Sequence, residues 1–448
     1  MDLSEVLRFR TFQLPGNPET DEYLLPVSGG ADSSSLAILM HELAPKVRFR
    51  MVFTDTGAEL PETYLMLDRL EAYLGRPIER IMEKDLFTLI REAGGFLPSP
   101  KDRFCTRALK LEPFKKWIRQ FEGKTKWMFI GIRSDESFRV AFTLPDVETV
   151  FPFIDLEIGR EWVYKKLSET VGIPASYRTR TRSGCTVCPY QKVGELVGLY
   201  QEHPEEFEQG SLYEKLSSID TTRHAPGVPL WEDTTLARNW HSLPVPLSES
   251  PMDKGSLTKA KRPDLFGSRI FVGGEFFFDG WLSNQEFIWQ QRLVSFSPTL
   301  DGIRKQLDSR FQHLLSTAEI HGMTPDEVRE KVRFAIWYIE LPSDVFDPAG
   351  ISSNTEERSY TWHQGKSYRQ IRHVVDWATR ALHAEFQMRL AQEQHHPLTV
   401  QYEWSEGAKG TMNEGTHPYG SVLLSEWYQP SEKEVAPETE EEALSLMP

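Results

Sequence analysis

The sequence predicts an α/β protein, a parallel sheet with helices on both faces, followed by a mainly helical C-terminal region. Three observations carry the prediction. Between residues 23 and 132, short apolar runs alternate with stretches whose apolar residues recur at helical spacing. The runs stop at turn-forming residues, Gly29 and Gly30 after the first and Asp55-Thr56-Gly57 after the second. After residue 220 the periodicity gives way to Pro, Ser and Lys, and sustained helical patterns return only beyond residue 300.

Residues 23–27 form the first strand and residues 33–43 the first helix. Residues 47–53 have strand character, residues 62–74 return to helix, and residues 127–132 make a further strand. A strand–helix–strand order needs crossover connections, and those connections produce a parallel sheet. Further on, residues 269–282 read as a hairpin around Gly273 and Gly274. Thr324-Pro325-Asp326-Glu327 is a capping box with Pro at the first helical position, which predicts a helix over 328–339. Residues 367–394 read as a long amphipathic helix, and the Glu-rich stretch 431–448 as a disordered acidic tail. The expected division is therefore 1–220, a linker and hairpin region over 221–300, a helical domain over 301–430, and the tail.

The chain has 448 residues, 39% of them hydrophobic and 12% aromatic, so it can fill more than one core and is not wholly disordered. A net charge of −15 excludes a globally basic nucleic-acid coat and leaves room only for a local basic groove. No apolar run reaches the roughly 18 residues of a membrane span, and the N-terminus lacks the apolar stretch of a signal peptide. With 3 cysteines in so long a chain, a disulfide framework is not expected. These features point to a cytoplasmic protein with no membrane association, whose cysteines are to be read as ligands or nucleophiles.

The sharpest motif is Val27-Ser28-Gly29-Gly30-Ala31-Asp32-Ser33-Ser34, placed between a strand and a helix. Gly29 and Gly30 let the backbone turn tightly and approach a phosphate; Ser28, Ser33 and Ser34 offer hydroxyls. The helix N-terminus adds unpaired N–H groups and a partial positive charge. Asp32 would repel a phosphate directly but suits Mg2+ beside one. A plain Gly-Gly turn followed by a Ser-rich cap is the simpler alternative.

Ser28-Gly29-Gly30-Ala31-Asp32-Ser33 resembles the pyrophosphate loop of the N-type ATP pyrophosphatases, and within them the phosphoadenosine-phosphosulfate reductase family, with its adenine nucleotide alpha hydrolase-like fold. Asp55-Thr56-Gly57-Ala58-Glu59-Leu60-Pro61-Glu62-Thr63 resembles that family's segment after the second strand, which implies that Asp55 and Thr56 lie near the nucleotide. Gly131-Ile132-Arg133-Ser134-Asp135-Glu136-Ser137-Phe138-Arg139 resembles a third block. The resemblance implies that Arg133 and Arg139 meet an anionic substrate, as a strand-end Arg is suited to do. Glu136 suits the orientation of an Arg.

Cys185-Thr186-Val187-Cys188 points two thiols at one place, and Cys105 lies upstream beside Thr106. In iron–sulfur members of the family a Cys-Cys pair occupies the position of Cys105 and Thr106, so this chain offers three thiolates instead of four. Three readings stay open. Cys105, Cys185 and Cys188 could hold a [4Fe–4S] cluster with one open iron. They could hold Zn2+ with a carboxylate or a His such as His203 or His224. Alternatively, Cys185 and Cys188 are a redox or persulfide pair. The cationic alternation at Arg178, Arg180 and Arg182 would put three charges on one face of a strand and grip a nucleic-acid backbone or a small oxyanion.

The resemblance implies an ATP-dependent sulfurtransferase, similar to the DNA phosphorothioation enzymes, which adenylates its substrate and inserts sulfur. Asp32, Lys110, Arg133, Arg139 and Cys185 are the expected catalytic residues. The expected partners are a nucleic-acid substrate, reached through partner subunits, and a sulfur donor such as a cysteine desulfurase. Two alternatives remain. A sulfonucleotide reductase would need an external thiol, because no cysteine follows Cys188. A nucleotide-sensing subunit of a defence assembly would bind ATP without cleaving it.

Overall fold

The computed structural model describes residues 3–100, 102–137, 144–181, 184–214, 255–260, 269–277, 290–318, 324–341, 368–393 and 421–431. The chain divides into two compact units, one built chiefly on residues 1–190 and the other on residues 191–315 and 324–435.

The first unit contains the predicted parallel sheet. Its strands are β1 (Glu22–Pro26), β2 (Phe49–Thr54), β3 (Ile78–Ile81), β4 (Lys126–Phe129) and β5 (Glu148–Val150), in the order β3-β2-β1-β4-β5. Every neighbouring pair is parallel. Side chains of a strand alternate between faces, and both faces are covered. Tyr23, Leu25, Met51, Phe53 and Phe129 face one core, with α2 (Ala31–Leu43), α3 (Pro61–Leu74) and α7 (Arg160–Glu169). Leu24, Val52 and Met128 face the other, with α5 (Glu112–Ile118) supplying Phe114, Trp117 and Ile118. Burial on two faces explains why these strands read as unbroken apolar runs. The remaining helices of this unit are α1 (Leu3–Phe9), α4 (Leu86–Glu92) and α6 (Pro152–Asp155).

The strand order matters for the site. From β1 the chain steps outward to β2 and β3, then returns to the other side of β1 for β4 and β5. The loops leaving β1 and β4 therefore diverge and open a crevice at the carboxyl ends of these strands, where sheets of this kind bind ligands.

The second unit bears out the helical expectation in part and adds a sheet to it. It holds a four-stranded antiparallel sheet, β7-β6-β8-β9, made of β6 (Arg269–Phe277), β7 (Gln290–Ser297), β8 (Val332–Glu340) and β9 (Ser421–Tyr428). Its helices are α8 (Val193–Glu202), α9 (Pro204–Ser211), α10 (Leu300–Ala318), α11 (Pro325–Lys331) and α12 (Tyr368–Glu393). The helix read over 367–394 is α12. Gly273 and Gly274 do not turn a hairpin; they lie inside β6, at an irregularity in its pairing with β7. A Cβ on Gly274 would stand 2.5 Å from the Trp337 ring, so glycine here makes room for a buried indole. The capping box forms, with the Thr324 N–H donating to Glu327 Oε2 at 2.7 Å. The helix it opens stops at Lys331, and residues 332–340 are the central strand β8, not a helix. Continuous burial removed the alternation that would have marked a strand.

The tail beyond residue 431 and the linker over 221–254 lie outside the described residues. Among the described residues no helix is long and apolar enough to cross a membrane.

Candidate functional site

The loop after β1 has the shape its sequence requires. Gly29 has φ +71°, a left-handed conformation that a side chain would strain. A Cβ there would come 2.9 Å from Thr63 Cγ2 and 3.2 Å from the Thr63 carbonyl oxygen. The Ser28 N–H donates to Ser33 Oγ at 3.0 Å, and the two hydroxyls are 3.1 Å apart. Gly30 caps α2 with no side-chain bond of its own, so hydroxyls and main-chain amides cluster at a helix N-terminus. Ser34 differs from its neighbours: it is fully buried and its hydroxyl finds no partner among the described residues.

The loop after β4 brings Arg133 to the same crevice. Its Nη1 donates to Asp32 Oδ1 at 2.7 Å, Nε to Asp135 at 3.0 Å and Nη2 to Glu136 at 2.7 Å. The fork of the guanidinium suits such multiple pairing. Burial alone would disfavour the charge, but Asp32, Glu136 and Asp135 hold it on the guanidinium. Three carboxylates meet on this guanidinium, and a carboxylate such as that of Asp32 suits a divalent cation beside phosphates. Glu136 orients Arg133, as the sequence suggested. Arg133 itself is a hub of carboxylates here, more than a bare anion contact.

At the end of β2, Asp55 Oδ1 accepts the Gly57 N–H at 2.8 Å and the Tyr64 hydroxyl at 2.9 Å. Thr56 is buried and donates to Glu59 Oε1 at 2.9 Å. Its hydroxyl supports Glu59, a residue to which the sequence reading gave no role. Only 3% of the Glu59 side chain is exposed, and Lys110 Nζ stands 3.8 Å from its Oε1.

The cysteines gather around this pair. Cys105 lies beside a π-helical turn, Thr106–Leu111, that presents Lys110; such turns are rare and recur at functional sites. Cys185 pairs with Glu59 across an antiparallel bridge, flanked by the Leu60 N–H donating to the Gly184 carbonyl at 2.7 Å and the Thr186 N–H donating to the Ala58 carbonyl at 2.7 Å. Burial would lower the Lys110 ammonium, but Glu59, Cys185, Cys188 and Cys105 outweigh it and raise it. Burial pushes the Cys185 thiol up, with Glu59 and Cys188 adding to the effect. The Cys105 thiol is raised by burial and Cys188. A buried thiol with a raised pKa is a poor nucleophile until a metal or cluster stabilises its thiolate. Three thiols beside one ammonium are the donor set that a three-thiolate cluster or Zn2+ would use. As placed, no group of three or more Cys, His, Asp or Glu among the described residues is drawn close enough to hold a metal ion.

One residue joins the two halves of the site. A Cβ on Gly184 would collide with Thr63 Oγ1 and come within 2.7 Å of Glu59 Oε2, while Gly29 packs on the same Thr63. The loop over 28–34 and the cysteine turn thus both rest on Thr63, in the first turn of α3. The basic strip does not form a strand. Residues Ala175–Arg178 make a 3-10 turn. Arg180 is 1% exposed and donates to the Cys185 carbonyl at 2.6 Å, so it braces the turn. The strip follows a tight turn because its side chains serve tertiary contacts that period-two spacing cannot reveal. Arg139, Arg182 and His224 lie outside the described residues, and His203 belongs to the second unit, between α8 and α9.

Fold and site together define a parallel α/β domain with a glycine-turned, hydroxyl-lined loop at its topological switch point and thiols beside it. Residues 22–149, within the first unit, match the family model of the phosphoadenosine phosphosulfate reductase domain. An uncharacterized protein of Methanocaldococcus jannaschii is 27% identical over 194 residues, 42% of this chain and 40% of that protein, so the chain spans well under half of that relative's length. Among solved structures, phosphoadenylyl-sulfate reductase from Candida auris is 16% identical, covering 37% of this chain and 77% of that one, with a TM-score of 0.28. The U34-tRNA thiolase NcsA from Methanococcus maripaludis, solved with its [4Fe–4S] cluster, is 15% identical, covering 45% and 72%, with a TM-score of 0.26.

Proposed function

We propose that the first unit is an ATP-dependent sulfurtransferase that adenylates an oxygen of its substrate, releasing pyrophosphate, after which a sulfide-level sulfur, freed from its persulfide donor by an external dithiol, bonds to the substrate and AMP leaves with the oxygen. The substrate class is nucleic acid, DNA before tRNA, reached with the help of partner subunits. The observation that carries the reading is the shared seat of Gly29 and Gly184 on Thr63, which supports nucleotide phosphates and thiols meeting in one site. In this reading the loop over 28–34 binds the β- and γ-phosphates through amides and hydroxyls. Asp32, held by Arg133, takes Mg2+ against them. Lys110, raised in pKa and so charged at neutral pH, stabilises negative charge between Glu59 and the thiols. Cys105, Cys185 and Cys188 would hold a [4Fe–4S] cluster, which would supply the site's sulfur chemistry, with Zn2+ the alternative occupant. The sulfur donor is of the cysteine desulfurase class, and the setting is the cytoplasm.

The test has two arms. Iron, acid-labile sulfide and zinc are measured after anaerobic purification of wild type and Cys185→Ser. Pyrophosphate release from MgATP is then measured with and without DNA or tRNA. About four irons and four sulfides per chain, lost in the variant, together with nucleic-acid-dependent pyrophosphate release, are expected. The second reading, a sulfonucleotide reductase using an external thiol, is favoured by the domain match over 22–149. Sulfite formed from an adenylyl sulfate and a dithiol, without ATP cleavage, would establish it in place of the first. MgATP binding with no pyrophosphate release under any condition would leave a nucleotide sensor.

A further inference from the structure

The first free amides of α2 are the natural phosphate ligands of the loop, yet one of them is held by a side chain from far along the chain. The Ala31 N–H donates to the hydroxyl of Tyr177 at 3.0 Å, across 146 residues of sequence. The same hydroxyl borders the space that Gly30 leaves open. A Cβ on Gly30 would lie 3.3 Å from the Tyr177 oxygen and 3.4 Å from Ser28 Oγ. With Ser33 Oγ 3.1 Å from Ser28 Oγ, three hydroxyls from two distant segments ring the mouth of the cradle.

We infer that Tyr177 is a phosphate-binding residue of this site: its hydroxyl accepts from the Ala31 amide and donates to the phosphate end of the bound nucleotide. A phenol can do both at once, because its oxygen accepts while its hydrogen is given. Burial, with Tyr164 and Asp32 nearby, pushes its ionisation up, so the proton stays in place across the physiological range. The ring is set by Tyr164, 6.2 Å away centre to centre, which in turn lies under the Arg160 guanidinium.

Tyr177 is also tied to the cysteines. It sits on the turn Ala175–Arg178, and the Arg180 N–H donates to the Ser176 carbonyl at 3.1 Å. Arg180 in turn holds the Cys185 carbonyl at 2.6 Å. A phosphate that engages Tyr177 therefore meets the same short turn whose Arg180 holds the Cys185 carbonyl. This gives the nucleotide site a physical link to the thiols that does not pass through Thr63.

The inference rests on the reading that the loop binds a nucleotide, and the test separates the two. Tyr177→Phe keeps the ring and removes only the hydroxyl. The affinities of the full chain for MgATP, magnesium pyrophosphate and adenosine are measured by calorimetry, with KM and kcat for pyrophosphate release beside them. The variant is expected to bind MgATP and pyrophosphate about tenfold more weakly. Adenosine, which has no phosphate, should bind both proteins equally; KM should rise while kcat changes less than about threefold. Unchanged MgATP affinity overturns the inference. So does tighter binding, which would mean the hydroxyl merely occupies an amide that phosphate wants. An equal loss for adenosine overturns it too, by making the role structural. If Tyr177-dependent phosphate binding is found but ATP is never cleaved, the inference stands and the sulfurtransferase reading falls. If wild type binds neither MgATP nor pyrophosphate, both fall.

Discussion

The two units bury charge in opposite ways. In the second, Glu275 of β6 is fully buried and grips Arg310 of α10 through Nε at 2.7 Å and Nη2 at 3.0 Å. It also pairs with Arg292 of β7, which reaches Glu202 of α8. Two carboxylates meet two guanidiniums, and the strongest of these contacts are closed to water. In the first unit, Arg133 faces three carboxylates, and the Asp32 side chain is 30% exposed. Lys110 is 39% exposed beside a buried Glu59. The closed, balanced network pins strands to helices and has little charge left for a ligand. Those of the first unit lie at strand ends and are partly open to solvent at Asp32 and Lys110. A buried charge is thus structural or functional according to whether its partners already saturate it.

The contrast can be broken most forcefully at Glu275. Glu275→Ala leaves two buried guanidiniums without their shared carboxylate and should cost about 3–5 kcal/mol in urea unfolding. MgATP affinity at the loop should stay within about twofold; a stable variant would show that the network is not structural. Gly29→Ala tests the open site from the other side. The Cβ meets Thr63 and the left-handed backbone costs about 1–2 kcal/mol. Displacement of the loop should lower pyrophosphate release about 100-fold. Arg133→Lys sharpens the point, because an ammonium cannot bridge three carboxylates at once. The KM for MgATP should rise about tenfold, and an unchanged KM would mean the hub is dispensable.

Two smaller effects calibrate local stability in each unit. Thr324→Ala removes the cap of α11 and should lower the unfolding free energy by about 1 kcal/mol. The smallest effect concerns pH. Burial would raise the Glu22 carboxyl, but Lys124 and Arg50 outweigh it and hold it below its ordinary value. A depressed carboxyl stabilises the fold above its unfolded pKa, and that contribution disappears as pH falls through the lower folded value. Glu22→Gln should therefore flatten the loss of stability below about pH 4. Curves that superimpose would show that the ion pairs contribute nothing.

How much the sequence disclosed also differs between the units. Each strand of the first sheet that was read, the loop at 28–34 and the cysteine turn were visible because their determinants are neighbours in the chain. Glu59 stood in plain sight four residues after Asp55 but carried no local signal of its own. Its role comes from Lys110 and Cys185, which only folding brings near. In the second unit, Gly273 and Gly274 read as a turn because nothing local reports that Trp337 needs the space. Residues 332–340 read as helix because a strand buried on both faces loses its alternation.

By itself, the sequence determined that a strand runs into a loop at Ser28 that only glycine can make, that a helix follows it, and that the 448 residues carry three thiols. Those outcomes depend on backbone sterics, residue spacing and composition. Only the tertiary structure decided that Arg133 gathers Asp32, that Gly29 and Gly184 both pack on Thr63, and that Tyr177 closes on Ala31. Asp135 and Glu136 lie beside Arg133 in the chain, but Asp32 meets Arg133, and Tyr177 meets Ala31, only because the fold brings distant segments together. Packing, not local propensity, chose their partners.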